Sequence, residues 1–177
     1  QAPPYVALMP TARRALIAGL GLVGGSIGIA LRRRGWHVAF LDTDPDLIPG
    51  EAADERAASL DAAADVVILA TPLDVAVTML ASCRAPLITS VCSVMAPLRG
   101  IGDERFVAGH PLAGSANRGI EFASADLFLD ATWFIDRENA IVFEIIDPCR
   151  PPPNLGVPAD PHSPVPFPRP LPQTPST

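Results

Sequence analysis

The chain has 177 residues, of which 49% are hydrophobic, a mean hydropathy of +0.29 and a formal net charge of -6. This length and composition suffice for one domain with a hydrophobic core, and the acidic balance argues against a nucleic-acid-binding surface. The cysteines have neither a metal-ligand spacing nor an even number, so we predict no metal site and a reducing, cytoplasmic setting for Cys83, Cys92 and Cys149.

The first apolar stretch raises the question of a membrane segment. It runs from Ala15 to Leu31 between arginines, as signal peptides and short membrane helices do. The stretch is short for a membrane span, rich in glycine and not followed by a small-residue cleavage site. We therefore expect no membrane insertion.

Apolar runs then alternate with helical segments along residues 15–135. Most of these runs lack polar alternation, which is typical of parallel strands covered on both faces. This order predicts an α/β fold with a doubly wound, mostly parallel sheet. The predicted elements are strand Ala15–Ala18, helix Ser26–Arg34 ending before Gly35, strand His37–Leu41, a partly helical segment 45–64, strand Val66–Ala70, helix Asp74–Ser82, and strands Leu87–Val91, Phe106–Ala108 and Thr132–Ile135.

The composition changes after Asp147. More than half of the 21 prolines fall within residues 148–177. Proline removes backbone donors and disfavours helix in the residue before it. We predict a single folded domain over residues 1–147 and a disordered, proline-rich tail over residues 148–177.

The segment GLGLVG, residues 19–24, fits the pattern G-x-G-x-x-G. It follows a predicted strand, leads into a helix and has an acid about twenty residues further on, which is the context of a Rossmann-type dinucleotide-binding loop. That acid, Asp42, is placed to bind a ribose 2′-hydroxyl and would repel a 2′-phosphate, so we predict NAD rather than NADP. The alternative is a glycine-rich turn without a ligand. The predicted loop contacts to the cofactor are Gly19, Gly21, Leu22, Val23 and Gly24.

Polar residues follow three further strands of the predicted sheet. Thr71 and Pro72 follow the third strand, Ser93 the fourth and His110 the fifth. Ligands of open parallel sheets bind beyond the carboxyl ends of the strands, so these groups are expected to converge. A histidine there can accept a proton from a hydroxyl near neutral pH, although an isolated histidine can equally have a structural role.

Four segments together resemble the nucleotide-binding half of prephenate and arogenate dehydrogenases. They are GLGLVGGSIGIALRRRG, DVVILATP, SVCSV and GHPLAGS…GI…ADLF, and the resemblance extends from about Ala15 to Ile135. The block GHPLAGS is its specific part, because the glycine loop alone is found in many dehydrogenases.

The resemblance implies an enzyme of tyrosine biosynthesis that decarboxylates prephenate or arogenate oxidatively. A hydride passes from the carbon bearing the ring hydroxyl to the nicotinamide, and carbon dioxide leaves as the ring becomes aromatic. By this resemblance His110 takes the hydroxyl proton and Ser93 is its partner at the hydroxyl. The residues implied to hold the cofactor are Gly19, Gly21, Gly24, Asp42, Thr71 and Pro72.

Two features depart from that family. In the loop after the fourth predicted strand, Cys92 replaces a glycine and Met95 replaces a lysine. The family also has a helical domain that supplies the homodimer interface and a substrate-binding arginine. We expect that domain to be absent, as in a fragment or after a reading-frame change, and the chain alone to be weakly active or inactive. Arg118 near GHPLAGS has no motif that assigns it this role.

Two alternatives follow from the same residues. The chain could be a non-catalytic NAD-binding module whose proline-rich tail binds a partner. It could also be another small-acid dehydrogenase, although GHPLAGS argues against this. The sequence leaves open whether prephenate or arogenate is the substrate.

Overall fold

Six parallel strands form the centre of the fold in the computed structural model, which describes residues 13–114, 116–136 and 142. The spatial order is β3-β2-β1-β4-β5-β6, so the direction of winding reverses at the first strand. This arrangement confirms the predicted doubly wound α/β fold. The strands are β1 (Arg14–Ala18), β2 (His37–Leu41), β3 (Glu55–Arg56), β4 (Val66–Leu69), β5 (Ile88–Ser90) and β6 (Phe106–Val107).

Helices cover both faces of this sheet. Helix α1 (Leu22–Arg33) packs on one face, where Ile27 and Leu31 join the apolar cluster around Ile17 of β1. Helices α2 (Leu73–Ser82) and α3 (Ala96–Arg99) pack on the opposite face around Leu16. Successive strand residues are therefore buried in different layers, which explains the continuous apolar runs in the sequence.

The ends of α1 differ in how well the sequence predicts them. The helix ends before Gly35 as predicted: this glycine has a φ of +82°, and the Trp36 amide returns to the Leu31 carbonyl at 3.1 Å. It begins at Leu22, four residues earlier than the predicted Ser26. The reason is that the glycines of its first turns pack closely on neighbouring loop segments and do not interrupt the helix.

The prediction of partial helix over residues 45–64 is largely wrong. The segment contains one 3₁₀ turn, Gly50–Ala52, and the short strand β3. Pro45 and Pro49 lack amide donors, and Gly50 adopts a φ of +55°. These three residues disfavour helix over 45–50, and further on the Asp54 and Ala57 amides bond to carbonyls of β2 in place of helical ones.

The last predicted strand lies outside the main sheet. Strand β8 (Trp133–Ile135) pairs antiparallel with β7 (Gly109–Pro111), so His110 lies opposite Phe134. The predicted strand Thr132–Ile135 is therefore correct as a strand but not as a sixth member of the parallel sheet, whose remaining strand is β3. Two 3₁₀ turns, Ile120–Phe122 and Ala125–Phe128, connect β7 to β8 and pack on α1.

Within the described ranges, no helix combines the length and apolar character needed to cross a bilayer. The apolar stretch at residues 15–31 is divided between β1, the glycine loop and α1. The predicted tail, residues 148–177, and the end of the predicted domain at residue 147 lie outside the described residues.

We predict that Gly28→Ala destabilises the protein. A glycine in a helix interior normally costs about 1 kcal/mol relative to alanine, but a Cβ at Gly28 would overlap the Ala52 carbonyl oxygen. Overpacking of this kind costs about 1–3 kcal/mol, so the free energy of unfolding in urea should fall. Gly114→Ala is the control, because no atom lies within 4 Å of the Cβ it would add. Equal stability of the two variants would contradict the close packing of α1.

Candidate functional site

The carboxyl ends of the central strands meet in one crevice. Gly19, Ala70 and Val91 each follow a strand, and their amides bond to the last residues of neighbouring strands: Gly19 to Leu41 at 2.8 Å, Ala70 to Ala18 at 2.7 Å and Val91 to Leu69 at 3.1 Å. The loops after β1, β4 and β5 therefore begin at the same level. The crevice lies where the strand order reverses, which is the usual ligand position in such sheets.

The first glycine of the loop is required by its backbone. Gly19 has a φ of +88°, which favours glycine strongly. A Cβ at this position would also come within 2.6 Å of the Ala70 carbonyl oxygen. The loop after β1 can therefore pass beside the loop after β4 only with glycine here.

The other two glycines of the loop have different surroundings. A Cβ at Gly24 would overlap the Gly19 carbonyl oxygen, so this glycine allows α1 to touch the strand loop. Gly21 is the N-cap of α1, where no side chain caps the helix. No atom lies within 4 Å of the position that a Cβ would take at Gly21, so the space beside it is open. The first turn contains no acid, so the amides of Leu22 and Val23 and the helix dipole favour an anion in that space.

Asp42 contacts the loop it was predicted to complement. Its Oδ2 accepts a hydrogen bond from the Leu20 amide at 2.8 Å, and its Oδ1 accepts one from the Asp44 amide at 3.0 Å. The sequence did not indicate this structural role. Each carboxylate oxygen has a second lone pair, so a ribose hydroxyl can still donate to Asp42.

The turn after β4 forms the opposite wall of the crevice. Thr71 Cγ2 would lie 3.1 Å from a Cβ at Gly19, and the buried Thr71 Oγ1 has no hydrogen-bond partner within the described part of the chain. Pro72 is the N-cap of α2. A buried, unpartnered hydroxyl beside an uncapped helix N-terminus fits a polar dinucleotide entering between the two loops.

Cys92 lies behind this wall as a small buried residue. Its thiol is 3.7 Å from the Thr71 carbonyl oxygen, and burial raises the pKa of the Cys92 thiol. A raised pKa disfavours the reactive thiolate, so the structure supports a packing role. Met95 packs against the apolar cluster beneath α3, where it replaces the charge expected from the resemblance.

His110 is held by the backbone of the neighbouring strand. It lies within β7, one strand beyond the predicted position at the end of β6, and its ring Nδ1 is 3.1 Å from the Val91 carbonyl oxygen. A carbonyl only accepts, so Nδ1 carries the proton and the neutral ring presents Nε2 as an acceptor. Gly109 permits this approach, because a Cβ there would lie 3.0 Å from the Ser90 carbonyl oxygen.

Ser93 is exposed on the loop that supplies the His110 contact. It follows Val91 by two residues, so Ser93 lies on the loop whose Val91 carbonyl contacts the His110 ring. The hydrogen bonds recorded for the described ranges do not join the two side chains. The pairing of Ser93 with His110 at a substrate hydroxyl stays a prediction.

Comparison with known proteins assigns the domain. The family described as "Prephenate dehydrogenase, nucleotide-binding domain" matches residues 27–139. The chain belongs to this family. Among curated relatives, the prephenate dehydrogenase of Bacillus subtilis is 31% identical over 141 residues, which are 68% of this chain and 38% of that protein. The prephenate dehydrogenase of Lactococcus lactis subsp. cremoris is 26% identical over 154 residues, which are 76% of this chain and 44% of that protein.

A solved structure shows the same fold. The prephenate dehydrogenase of A. aeolicus, in complex with hydroxyphenyl propionate and NAD+, has a TM-score of 0.66 and 24% identity, with 78% of this chain and 57% of that chain covered. The chain therefore spans less than half the length of the curated relatives and somewhat more than half of this structural neighbour.

We predict that neutral His110 is the Nδ1–H tautomer. The Val91 carbonyl can bond only to a protonated Nδ1. Long-range ¹H–¹⁵N spectra of the neutral ring should show a protonated Nδ1 and an unprotonated Nε2. His37 is the internal control, because its Nε2 lies 3.0 Å from a Glu55 carboxylate oxygen and should carry the proton. A proton on Nε2 of neutral His110 would contradict the geometry.

Proposed function

We propose that this chain binds NAD in the crevice and forms the nucleotide-binding half of an enzyme that decarboxylates prephenate or arogenate oxidatively. The observation that carries the proposal is the His110 ring, fixed through Nδ1 on the Val91 carbonyl with Nε2 left as a proton acceptor. It lies at the same edge of the sheet as the anion-binding glycine loop. Family membership over residues 27–139 supports the combination.

Different residues of the crevice are proposed to bind different parts of the cofactor. Amides at the start of α1, with Gly21 leaving room, would hold the pyrophosphate. Asp42 would accept from the ribose hydroxyls next to the adenine, and the Thr71–Pro72 turn would line the remaining part of the crevice. The A. aeolicus neighbour contains NAD+, which supports this cofactor.

The chemistry requires one hydride acceptor and one proton acceptor. When bound, NAD supplies the hydride acceptor. His110 Nε2 accepts the proton of the ring hydroxyl while the carbon–hydrogen bond beside it breaks, and the Val91 carbonyl stabilises the imidazolium that forms. Carbon dioxide then leaves as the ring becomes aromatic. Ser93 is proposed to orient the same hydroxyl.

The substrate class follows from this proton transfer. His110 acts on a hydroxyl at the carbon that gives up a hydride, and both prephenate and arogenate carry that group. The neighbour with bound hydroxyphenyl propionate is consistent with a hydroxylated ring in this position. The cytoplasmic setting and the homodimer implied by the resemblance belong to the same proposal.

We predict that the chain prefers NAD to NADP because Asp42 repels a 2′-phosphate. Asp42→Asn should weaken NAD binding by about 10–100-fold, corresponding to about 1.5–3 kcal/mol for a hydrogen bond to a charged group, and should weaken NADP binding less. Titration followed by tryptophan fluorescence measures both affinities. Asp46→Asn removes the same charge from the same loop and should change neither. Equal or tighter binding of NADP by the unmodified chain would contradict the preference.

We predict that His110→Asn removes turnover without removing the cofactor. Asparagine can still donate to the Val91 carbonyl, but it has no basic nitrogen. In the chain joined to the helical domain of a relative, loss of a general base should lower kcat by about 10²–10⁴-fold, measured as NADH formed from prephenate or arogenate, while the dissociation constant of NAD changes less than about threefold. His37→Gln, at the opposite edge of the sheet, is the control. Full activity of His110→Asn would refute its role.

A further inference from the structure

The loop that carries Asp42 is held by a single guanidinium. Arg56 Nη1 donates to the Asp42 carbonyl at 3.1 Å, and Nη2 donates to the carbonyls of Asp44 at 2.8 Å and Leu47 at 3.4 Å. The guanidinium carbon lies 4.6 Å from the ring centroid of Phe40, which covers one face of it. Arg56 thus closes the loop from its position on β3.

Together with the Leu20 amide, which donates to Oδ2, these contacts hold the Asp42 carboxylate in place. The loop residues Thr43, Asp44 and Asp46 are exposed, so they add little apolar packing. The Asp44 amide donates to Asp42 Oδ1 and the Asp44 carbonyl accepts from Arg56. Arg56 therefore holds the carbonyls of Asp42 and Asp44. These two carbonyls flank the peptide whose amide, that of Asp44, orients the Asp42 carboxylate.

We propose that Arg56 is a positioning residue for recognition of the adenine-side ribose. It holds the Asp42 loop in the shape that accepts the two ribose hydroxyls of NAD. This inference rests on the proposed function, because it assumes that Asp42 contacts the ribose.

The opposite role for Arg56 would be to receive the 2′-phosphate of NADP, as an arginine near this position can do in related folds. The geometry disfavours that role. Both terminal nitrogens of the guanidinium donate to backbone carbonyls, and one face lies against Phe40. The carboxylate of Asp42 lies on the same loop and would repel the phosphate.

The test compares the full chain with Arg56→Ala and Arg56→Lys, using NAD, NADP, ADP-ribose and nicotinamide mononucleotide as ligands. We expect Arg56→Ala to weaken NAD and ADP-ribose equally, by about tenfold, and NADP by less, so that discrimination between the cofactors falls. Nicotinamide mononucleotide should bind unchanged. Arg56→Lys should resemble Arg56→Ala, because an ammonium cannot span three carbonyls.

Arg33→Ala is the matched control. Arg33 is an exposed arginine of α1 whose closest carboxylate oxygen, on Asp126, is 3.9 Å away. It should leave all four affinities unchanged. Larger losses for NADP than for NAD, full retention of NAD affinity by Arg56→Lys, or equal losses for nicotinamide mononucleotide would each overturn the positioning role.

A double-mutant cycle tests the role of Arg56 even if Arg56→Ala lowers the melting temperature. If Arg56 acts through Asp42, adding Arg56→Ala to Asp42→Asn should change the ratio of NADP to NAD affinity by less than about twofold. If the two substitutions changed this affinity ratio independently, so that their factors multiplied in the double variant, the proposal would be refuted. Failure of the unmodified chain to bind NAD would refute the proposed function as well, whereas normal NAD binding with an unaffected Arg56→Ala variant would refute only this inference.

Discussion

The direct backbone contact of α1 with the loop after β1 and the 3₁₀ turn before β3 is the constraint on which the site depends. A side chain at Gly24 would overlap the Gly19 carbonyl, and one at Gly28 would overlap that of Ala52. Because glycine removes both obstacles, the N-terminus of α1 lies directly above the carboxyl end of β1. The same approach lets the Ser26 hydroxyl accept from the Ser124 amide at 3.0 Å, which fixes the segment between β7 and β8 over the helix.

Asp42 connects this packing to recognition. Its carboxylate bonds the amide of Leu20 inside the glycine loop and the amide of Asp44 in its own loop. The group expected to bind the ribose is thus oriented before any ligand arrives, and its loop is closed by Arg56. A preorganised acceptor loses little conformational entropy on binding, so more of the interaction energy remains as affinity.

The sequence predicts the parts of the fold that are encoded locally. Continuous apolar runs mark β1, β2 and β4, and the glycine spacing marks the turn into α1, because each pattern is set by neighbouring residues. Strand β3 is too short and polar to be recognised, and its place is set by distant backbone pairing with β2, where the Asp54 and Ala57 amides bond to the carbonyls of Val38 and Phe40. The crevice could be predicted because polar residues follow several strands and ligands of open parallel sheets bind beyond the carboxyl ends of strands, whereas the roles assigned to Ser93 and His110 stay predictions.

The position of the His110 ring follows from the sheet and not from the sequence of the loops around it. The Val91 amide bonds the carbonyl of Leu69 at 3.1 Å, and the Val91 carbonyl holds the His110 ring at the same distance. The two peptide groups that flank Val91 therefore connect the end of β4 to the imidazole, so the pairing of β4 with β5 determines where the ring lies. The two residues after Val91 that depart from the resemblance contact other parts of the protein. The Cys92 thiol faces Thr71, and Met95 packs under α3. Cys92 and Met95, where the sequence departs from the resemblance, therefore leave the His110 ring in its place at the edge of the sheet.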